Sequence, residues 1–227
     1  YLSDIYGLTG MALLEMFING EVITEETDLP KIHGRIKATV DQLVEAMDGK
    51  LSIEDRFLLG QSLEHYRHLV NQVEEITAVI KQYVLERFER EYSLLIELPG
   101  VSAIVACVIL SEIGPNVEAF QSQGNLASWA GVCPGSYESA GIKKSSHTTQ
   151  GNKYLKSSLF QAGGTAGRSK DEAFHNLYAR ISGRSSKMKA IIACAHKLIR
   201  IIYKILSTGE HYDAKKALGL RQQARAN

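Results

Sequence analysis

LGQSLEHYRHLVNQVEEITAVIKQYV, residues 59–84, sets Leu59, Leu63, Tyr66, Val70, Val73, Thr77, Ile80 and Val84 at alternating intervals of four and three. That rhythm is the a/d seam of an amphipathic helix, and it has no counterpart in a strand. Ser52-Ile-Glu-Asp55 supplies a capping-box-like start, and neither Gly nor Pro interrupts the chain between Gln61 and Leu98. One helix is therefore predicted over 52–97, an arm of roughly 55 to 60 Å at about 1.5 Å per residue. Its stripe suits either a second copy of the chain, giving a homodimer or tetramer, or the segment 31–47 folded back as a hairpin. The narrow seam and its acidic flanks favour pairing between chains.

Upstream, Met11, Leu13, Leu14, Met16 and Phe17 predict a short apolar helix stopped by Gly20. Pro30 then opens a second helix, with Ile32, Ile36, Val40, Leu43 and Val44 on one face before Gly49. Downstream, the arm ends at Leu98-Pro99-Gly100-Val101-Ser102, followed by an apolar helix over 103–113. A Leu-Pro-Gly-Val turn between helices resembles a helix-hairpin-helix, where amides near Gly100 hold a backbone phosphate; it also serves as a plain tight turn. Asn125 is expected to cap a helix carrying Leu126, Trp129 and Ala130, with Trp129 in the core. Asn152 precedes a further helix that Gly163-Gly164 should loosen, residues 180–189 read as a basic connector, and 190–206 as a last apolar helix. The fold class is all-α: a long coiled-coil arm, then a compact helical domain with a hairpin-like turn and a loop. Its domains are 1–51 as a helical linker, 52–97 as the arm, 98–206 as the compact domain and 207–227 as a flexible tail.

Charge divides this chain more sharply than its net of +1 suggests. Residues 1–92 hold 9 Lys and Arg against 17 Asp and Glu, whereas 93–227 hold 17 against 8. From Ser139 onward the count is 17 against 4, the electrostatic footprint of a polyanion binder. Candidate nucleic-acid contacts are Lys143, Lys144, His147, Asn152, Lys153, Lys156, Arg168, Arg180, Arg184, Lys187 and Lys189. Lys153 and Lys156 occupy the first turn of their helix against its macrodipole, as cations flanking a bound anion would. His196 reads as a packed or surface histidine, and His65, His68 and His211 lack partners at ligand spacing.

Three widely spaced cysteines, Cys107, Cys133 and Cys194, form no CxxC, so neither a zinc site nor a disulfide framework is expected and a reducing cytoplasm fits. No apolar run approaches the roughly 20 residues of a membrane span. No membrane partner is expected. A chain that opens on Tyr1 reads as a piece of something longer.

The run 134–156, PGSYESAGIKKSSHTTQGNKYLK, is rich in Gly and Ser and places Ser139 ahead of five potential cations. Its backbone can turn amides toward an anion while the lysines hold a phosphodiester near the Ser139 hydroxyl. The bland alternative is a serine that forms a turn.

LPGVSAIVACVILSEIG, NLASWAGVCPGSYESAGIKKS, GNKYLKSSLFQAG and KAIIACAHKLIRIIYKIL, together with the upstream DIYGLTGMALLEMFINGE, occur in an order and spacing that resemble one family. It is the insertion-sequence transposases with a RuvC-like DEDD amino-terminal domain, the bridge-RNA-guided recombinases to which the pilin-gene invertase is related. The likeness runs from Asp4 to Tyr212 and covers the coiled coil and the serine transposase domain.

The resemblance implies a DNA transposase or recombinase in which Ser139 matches the catalytic serine that becomes joined to a DNA phosphate. It implies DNA and a guide RNA as partners. It also implies that the acidic tetrad and its Mg²⁺ belong to a RuvC-like domain which this chain lacks, so that the fragment holds no cofactor and would be inactive alone. Family members usually read Ser-Ala-Gly-Lys with a further Gly and Arg; here Ile142 replaces that lysine, and Ser146 and His147 stand at the glycine and arginine. The competing reading is a non-catalytic nucleic-acid-binding and dimerisation module.

Overall fold

The structure is a computed structural model that describes residues 4–21, 38–46, 48–49, 51–133, 137–139, 142–145, 148 and 150–223. These residues are all-α apart from one small hairpin, in the order α1 (Leu8–Asn19), α2 (Val40–Ala46), α3 (Ile53–Ile96), α4 (Ala103–Ile113), α5 (Gln123–Trp129), β1 (Tyr137–Ser139), β2 (Ile142–Ser145), α6 (Lys153–Arg168), α7 (Glu172–Arg184), α8 (Lys187–Thr208) and α9 (Ala214–Gln223). Among them no helix is long and apolar enough to cross a membrane. The chain forms two compact units, 1–75 and 76–227, with the boundary inside α3.

In the first unit, α1 ends as its sequence requires: Gly20 takes φ 74° and its N–H returns to the carbonyls of Met16 and Phe17. Leu13 and Leu43 bury each other's apolar surface, and the Tyr6 and Tyr66 rings stack at 4.9 Å. An ion pair joins Arg67 to Glu15. Leu63, in the early part of the α3 stripe, is buried. Most of the expected second helix lies outside the described residues; only Val40–Ala46 is seen.

The capping box at the head of α3 forms, with Ser52 Oγ accepting from the Asp55 amide at 3.0 Å and the Asp55 carboxylate accepting from the Ser52 hydroxyl at 2.8 Å. Farther along, the expected uninterrupted helix breaks at Phe88, whose φ −137° and ψ 34° are not helical. No Pro or Gly causes this break; the Phe88 ring is one of the half-buried groups packed on the core of the second unit. Within that unit Val84, Tyr92, Leu95 and Leu98 are buried.

The second unit is built around α8. Ala190, Cys194, Ala195, Leu198, Ile199, Ile202 and Ile205 recur at helical spacing and are all buried, so α8 takes α5, α6 and α7 on its surface. Three expectations are corrected here. Gly163-Gly164 does not loosen α6, which runs through to Arg168; a Cβ on Gly163 would lie 2.7 Å from the Ala195 amide nitrogen, so the glycine is what lets α6 and α8 approach. The basic connector shrinks to Ser185-Ser186, because Arg180–Arg184 belongs to α7, capped by the Asp171 carboxylate on the Phe174 amide and anchored by the fully buried Phe174. Ser122 rather than Asn125 caps α5.

The segment expected to be a flexible tail is tied down. Gly209 (φ 70°) closes α8, the Tyr212 hydroxyl donates to Asp171 at 2.9 Å, its amide donates to Glu97 at 3.2 Å, and α9 follows with Ala217 buried.

Candidate nucleic-acid interface and serine hairpin

The serine segment leaves and rejoins the helical body at one point. After α5, Gly131 turns the chain with φ 72°, and its amide donates to Ser128 O at 3.0 Å. Twenty-one residues on, the Asn152 amide donates to Trp129 O at 3.0 Å, while a Cβ on Gly151 would stand 2.4 Å from the Gly131 nitrogen. Only glycine permits that backbone crossing. The two ends of the serine segment are therefore held together at the helical body, as at the base of a loop.

Within the loop, β1 and β2 pair antiparallel, with Ser139 opposite Ile142 and Glu138 opposite Lys143. Ser139 is the last residue of β1, and only Ala140 and Gly141 separate it from β2. The backbones of Lys143 and Lys144 lie in β2, on the strand that returns beside Ser139. His147 lies outside the described residues.

The base of α6 is organised by Asn152. Its side-chain oxygen accepts from the amides of Tyr154 at 3.0 Å and Leu155 at 2.9 Å, and its amide group donates to Glu112 of α4. A carboxylate from within the fold thus reaches the start of α6 through Asn152. Lys156 swings back to donate to Thr148 Oγ1 at 2.9 Å, linking α6 to the trailing end of the serine loop. The Lys153 ammonium lies over the Tyr154 ring at 4.8 Å.

Beside Thr148 opens a cleft of about 780 Å³ between α7, α8 and α9. Leu177, Ile181, Ile192 and Ala193 line it together with Arg180, Arg184, Lys189, Lys197 and Arg200, and no Asp or Glu is among the described lining residues. Lys197 is committed inward, donating to Ala173 O at 2.8 Å, and Arg200 Nε donates to Gln123 at 3.2 Å. Burial, and then the Arg200 charge, hold His196 below its ordinary imidazole range, so it is neutral at pH 7. The Lys197 ammonium is likewise held below its ordinary value, chiefly by burial.

The structure thus brings Asn152, Lys153 and Lys156 to the loop base, and Arg180, Arg184 and Lys189 to the cleft beside it. It sets the others apart. Arg168 ends α6, where its guanidinium complements the helix dipole and folds over Gly164. Lys187 starts α8. Gly100 has φ 81°, and a Cβ there would stand 2.2 Å from Ala162 O, so the turn it makes is pressed onto α6. Trp129, expected in the core, is 40% exposed, tilted against Phe120 at 5.3 Å.

Sequence reasoning missed Glu112, Thr148 and His196 as parts of this region, and had Lys197 and Arg200 only as members of the basic field. Nothing in SEIGPN marks Glu112 as a partner of Asn152. The spacing of Leu177, Arg180, Ile181 and Arg184 at i, i+3, i+4 and i+7 was a readable signal for one helix face that mixes apolar and cationic side chains.

Residues 92–179, which span α4 through most of α7 and include the serine hairpin, match the family model described as Transposase IS116/IS110/IS902 family. The chain is 30% identical over 158 residues to the pilin gene-inverting protein of Moraxella lacunata, covering 67% of this chain and 48% of that protein. Its counterpart in Moraxella bovis is 28% identical over the same shares. A protein of Sinorhizobium fredii named as a transposase, y4pF/y4sB, is 28% identical over 185 residues, covering 78% of this chain and 46% of the other. The chain spans about half the length of the curated relatives it matches.

Proposed function

We propose that this chain is the DNA-joining part of an RNA-guided transposase or recombinase, with Ser139 as its nucleophile. One observation carries the reading. Ser139 ends the first strand of a hairpin whose return strand bears Lys143 and Lys144, and Lys156 ties the trailing end of that loop to α6 beside a basic cleft. Support comes from the transposase-family match across the hairpin and from relatives that invert DNA by name.

In the proposed reaction the Ser139 oxygen attacks a backbone phosphorus in line, an O–P bond to serine forms, and the bond to one deoxyribose oxygen breaks. The serine proton passes to a base and the leaving oxygen takes up a proton. Because the phosphoserine diester conserves the bond energy, the liberated hydroxyl of another strand can reverse the step on a new partner. Lys143, Lys144, Lys153 and Lys156 supply positive charge to the phosphoryl oxygens.

The Mg²⁺ that the resemblance implies has no fitting residues here: among the described residues no group of three His, Cys, Asp or Glu side chains is placed to hold a metal. In this proposal the ion and the acidic residues belong to a RuvC-like domain outside the chain, and no step is derived through them. The sequence specificity falls to base pairing with a guide RNA, which the basic half of the chain would hold with the DNA by their backbones. The exposed α3 stripe is the proposed seam of a homodimer or tetramer, and the cytoplasm the proposed compartment.

The test compares native chain and Ser139→Ala, each supplied with the RuvC-like domain and guide RNA, in a strand-exchange assay. Exchange should vanish in the variant, by at least about a thousandfold on the scale of nucleophile removal, while DNA binding changes less than twofold. Exchange that persists in Ser139→Ala leaves only a binding and dimerisation module.

A further inference from the structure

The cleft between α7, α8 and α9 combines two chemistries that a plain phosphate-binding surface does not need together. Its floor is apolar, with Leu177, Ile181, Ile192 and Ala193, and its volume of about 780 Å³ lies within the range of small-ligand sites. Its rim is cationic, with Arg184 and Lys189 exposed. A duplex backbone would meet the rim and leave the floor empty. A purely apolar ligand would fill the floor and leave the cations unused.

Within the same cleft, Arg180 Nε is buried without a hydrogen-bond partner among the described residues. An unsatisfied buried donor is costly, and a ligand oxygen that reaches it offsets that cost. Asn176 and the neutral His196 add groups able to meet the edge of a planar ring. Thr148 forms part of the wall, and its bond from Lys156 places this wall at the trailing end of the serine loop.

We propose that the cleft receives one unpaired nucleotide of the bound strand, its base on the apolar floor of Leu177, Ile181 and Ile192 and its phosphate at Arg180, Arg184 and Lys189. The inference rests on the nucleic-acid reading above and adds to it a base pocket beside the reacting strand. Extruding a base from its neighbours costs a few kcal/mol in a duplex, so the pocket selects a strand already open or readily opened.

The experiment measures binding of the full chain to two fluorescent strands of equal length, one of twelve thymidines and one of twelve abasic deoxyribose phosphates. Both carry the same charge, so only base contacts separate them. The native chain should bind the thymidine strand roughly tenfold or more tightly, the scale of removing the apolar face of one base from water. Ala193→Phe from the α8 wall and Ile181→Trp from the α7 wall fill the cleft and should bring the two strands within twofold of each other, with the salt slope for the abasic strand unchanged. Ala179→Phe, the same bulk on an exposed position of α7, should keep the preference. A third readout needs no variant: 2-aminopurine within the strand should brighten on binding as it leaves its stacked neighbours.

A preference that survives both fillings, or 2-aminopurine emission that stays flat, overturns the pocket while the basic field still binds both strands. If the native chain binds neither strand, the nucleic-acid reading falls as well. Displacement of the abasic strand by an acidic peptide only in the unfilled cleft would assign the site to a protein segment instead and equally overturn the proposal.

Discussion

Gly163 shows how one side chain, by its absence, sets the spacing of the two central helices. An alanine there gains up to about 1 kcal/mol in helix propensity. Its Cβ would meet three backbone atoms of α8 at 2.7 to 3.0 Å, and backbone cannot swing aside as a side-chain tip can. Overpacking of this kind costs about 1–3 kcal/mol, so Gly163→Ala should be net destabilising by roughly 1–2 kcal/mol. Gly183 in α7 has nothing within 4 Å of such a Cβ, and Gly183→Ala should instead stabilise by up to about 1 kcal/mol. Urea unfolding of the two variants checks the contrast; equal shifts would mean that α6 and α8 are not in that close contact.

His196 supplies a prediction in pH. Its folded pKa is depressed, mainly by burial, from the ordinary 6.5. As pH falls below that value the unfolded chain takes up the proton first, so the stability associated with neutral His196 is present above pH 6.5 and lost as pH drops. Between pH 7.5 and pH 5.5 the melting temperature of His196→Gln should therefore fall less than that of the native chain. At this scale the sequence was legible for residues whose role is local: Gly20, Asn152 and the Ser52–Asp55 pair cap helices as their types require. Glu112 and Thr148 were not, because Glu112 meets Asn152 from forty residues away and Thr148 sits in a segment without periodicity.

Among the elements, α3 presents the clearest unused surface. Val70 and Val73 are 36% and 64% exposed, and Ile76, Val79, Ile80 and Tyr83 are exposed as well. Such a stripe is an expected seam between chains. Val70→Asp combined with Val73→Asp should dissociate the assembly, since a charge buried in an apolar seam must be desolvated. Light scattering reads the outcome directly; a native chain that is monomeric at micromolar concentration removes the pairing. The a/d rhythm made α3 readable, whereas its break at Phe88, where the side chain packs on the core, was not, because no Pro or Gly marks it. α7 carries its own signal, with Ala173, Phe174, Leu177, Tyr178 and Ile181 at helical spacing, but the basic run that follows Tyr178 masks it. α9 gives a weaker signal of its own, and its place rests on Tyr212 and Ala217.

At the scale of the whole molecule, charge and fold agree. The basic excess begins at Ser139, and the helices that follow gather part of it around one cleft beside the serine loop. Affinity for a nucleic-acid strand should fall linearly on a log–log salt plot, and Arg184→Ala should lower the slope by about 0.7 to 0.9 per lost phosphate contact. Lys153→Ala and Lys156→Ala should weaken binding modestly and strand exchange far more, because they stand at the loop base. Equal losses in both would mean that these lysines only position the strand. The sequence disclosed this division of charge at once, yet not the cleft, which needs α7, α8 and α9 in three dimensions.

The central claim is that Ser139 becomes bonded to DNA. Its most direct test traps the chain, with the RuvC-like domain and guide RNA, on a nicked strand that cannot be rejoined, followed by nuclease and protease digestion and mass spectrometry of the surviving nucleotide–peptide. The account predicts a phosphodiester on Ser139 within the peptide that precedes Lys143. A nucleotide mapped to Tyr137, Ser145 or any other side chain, or a trapped complex with no covalent bond, would contradict it.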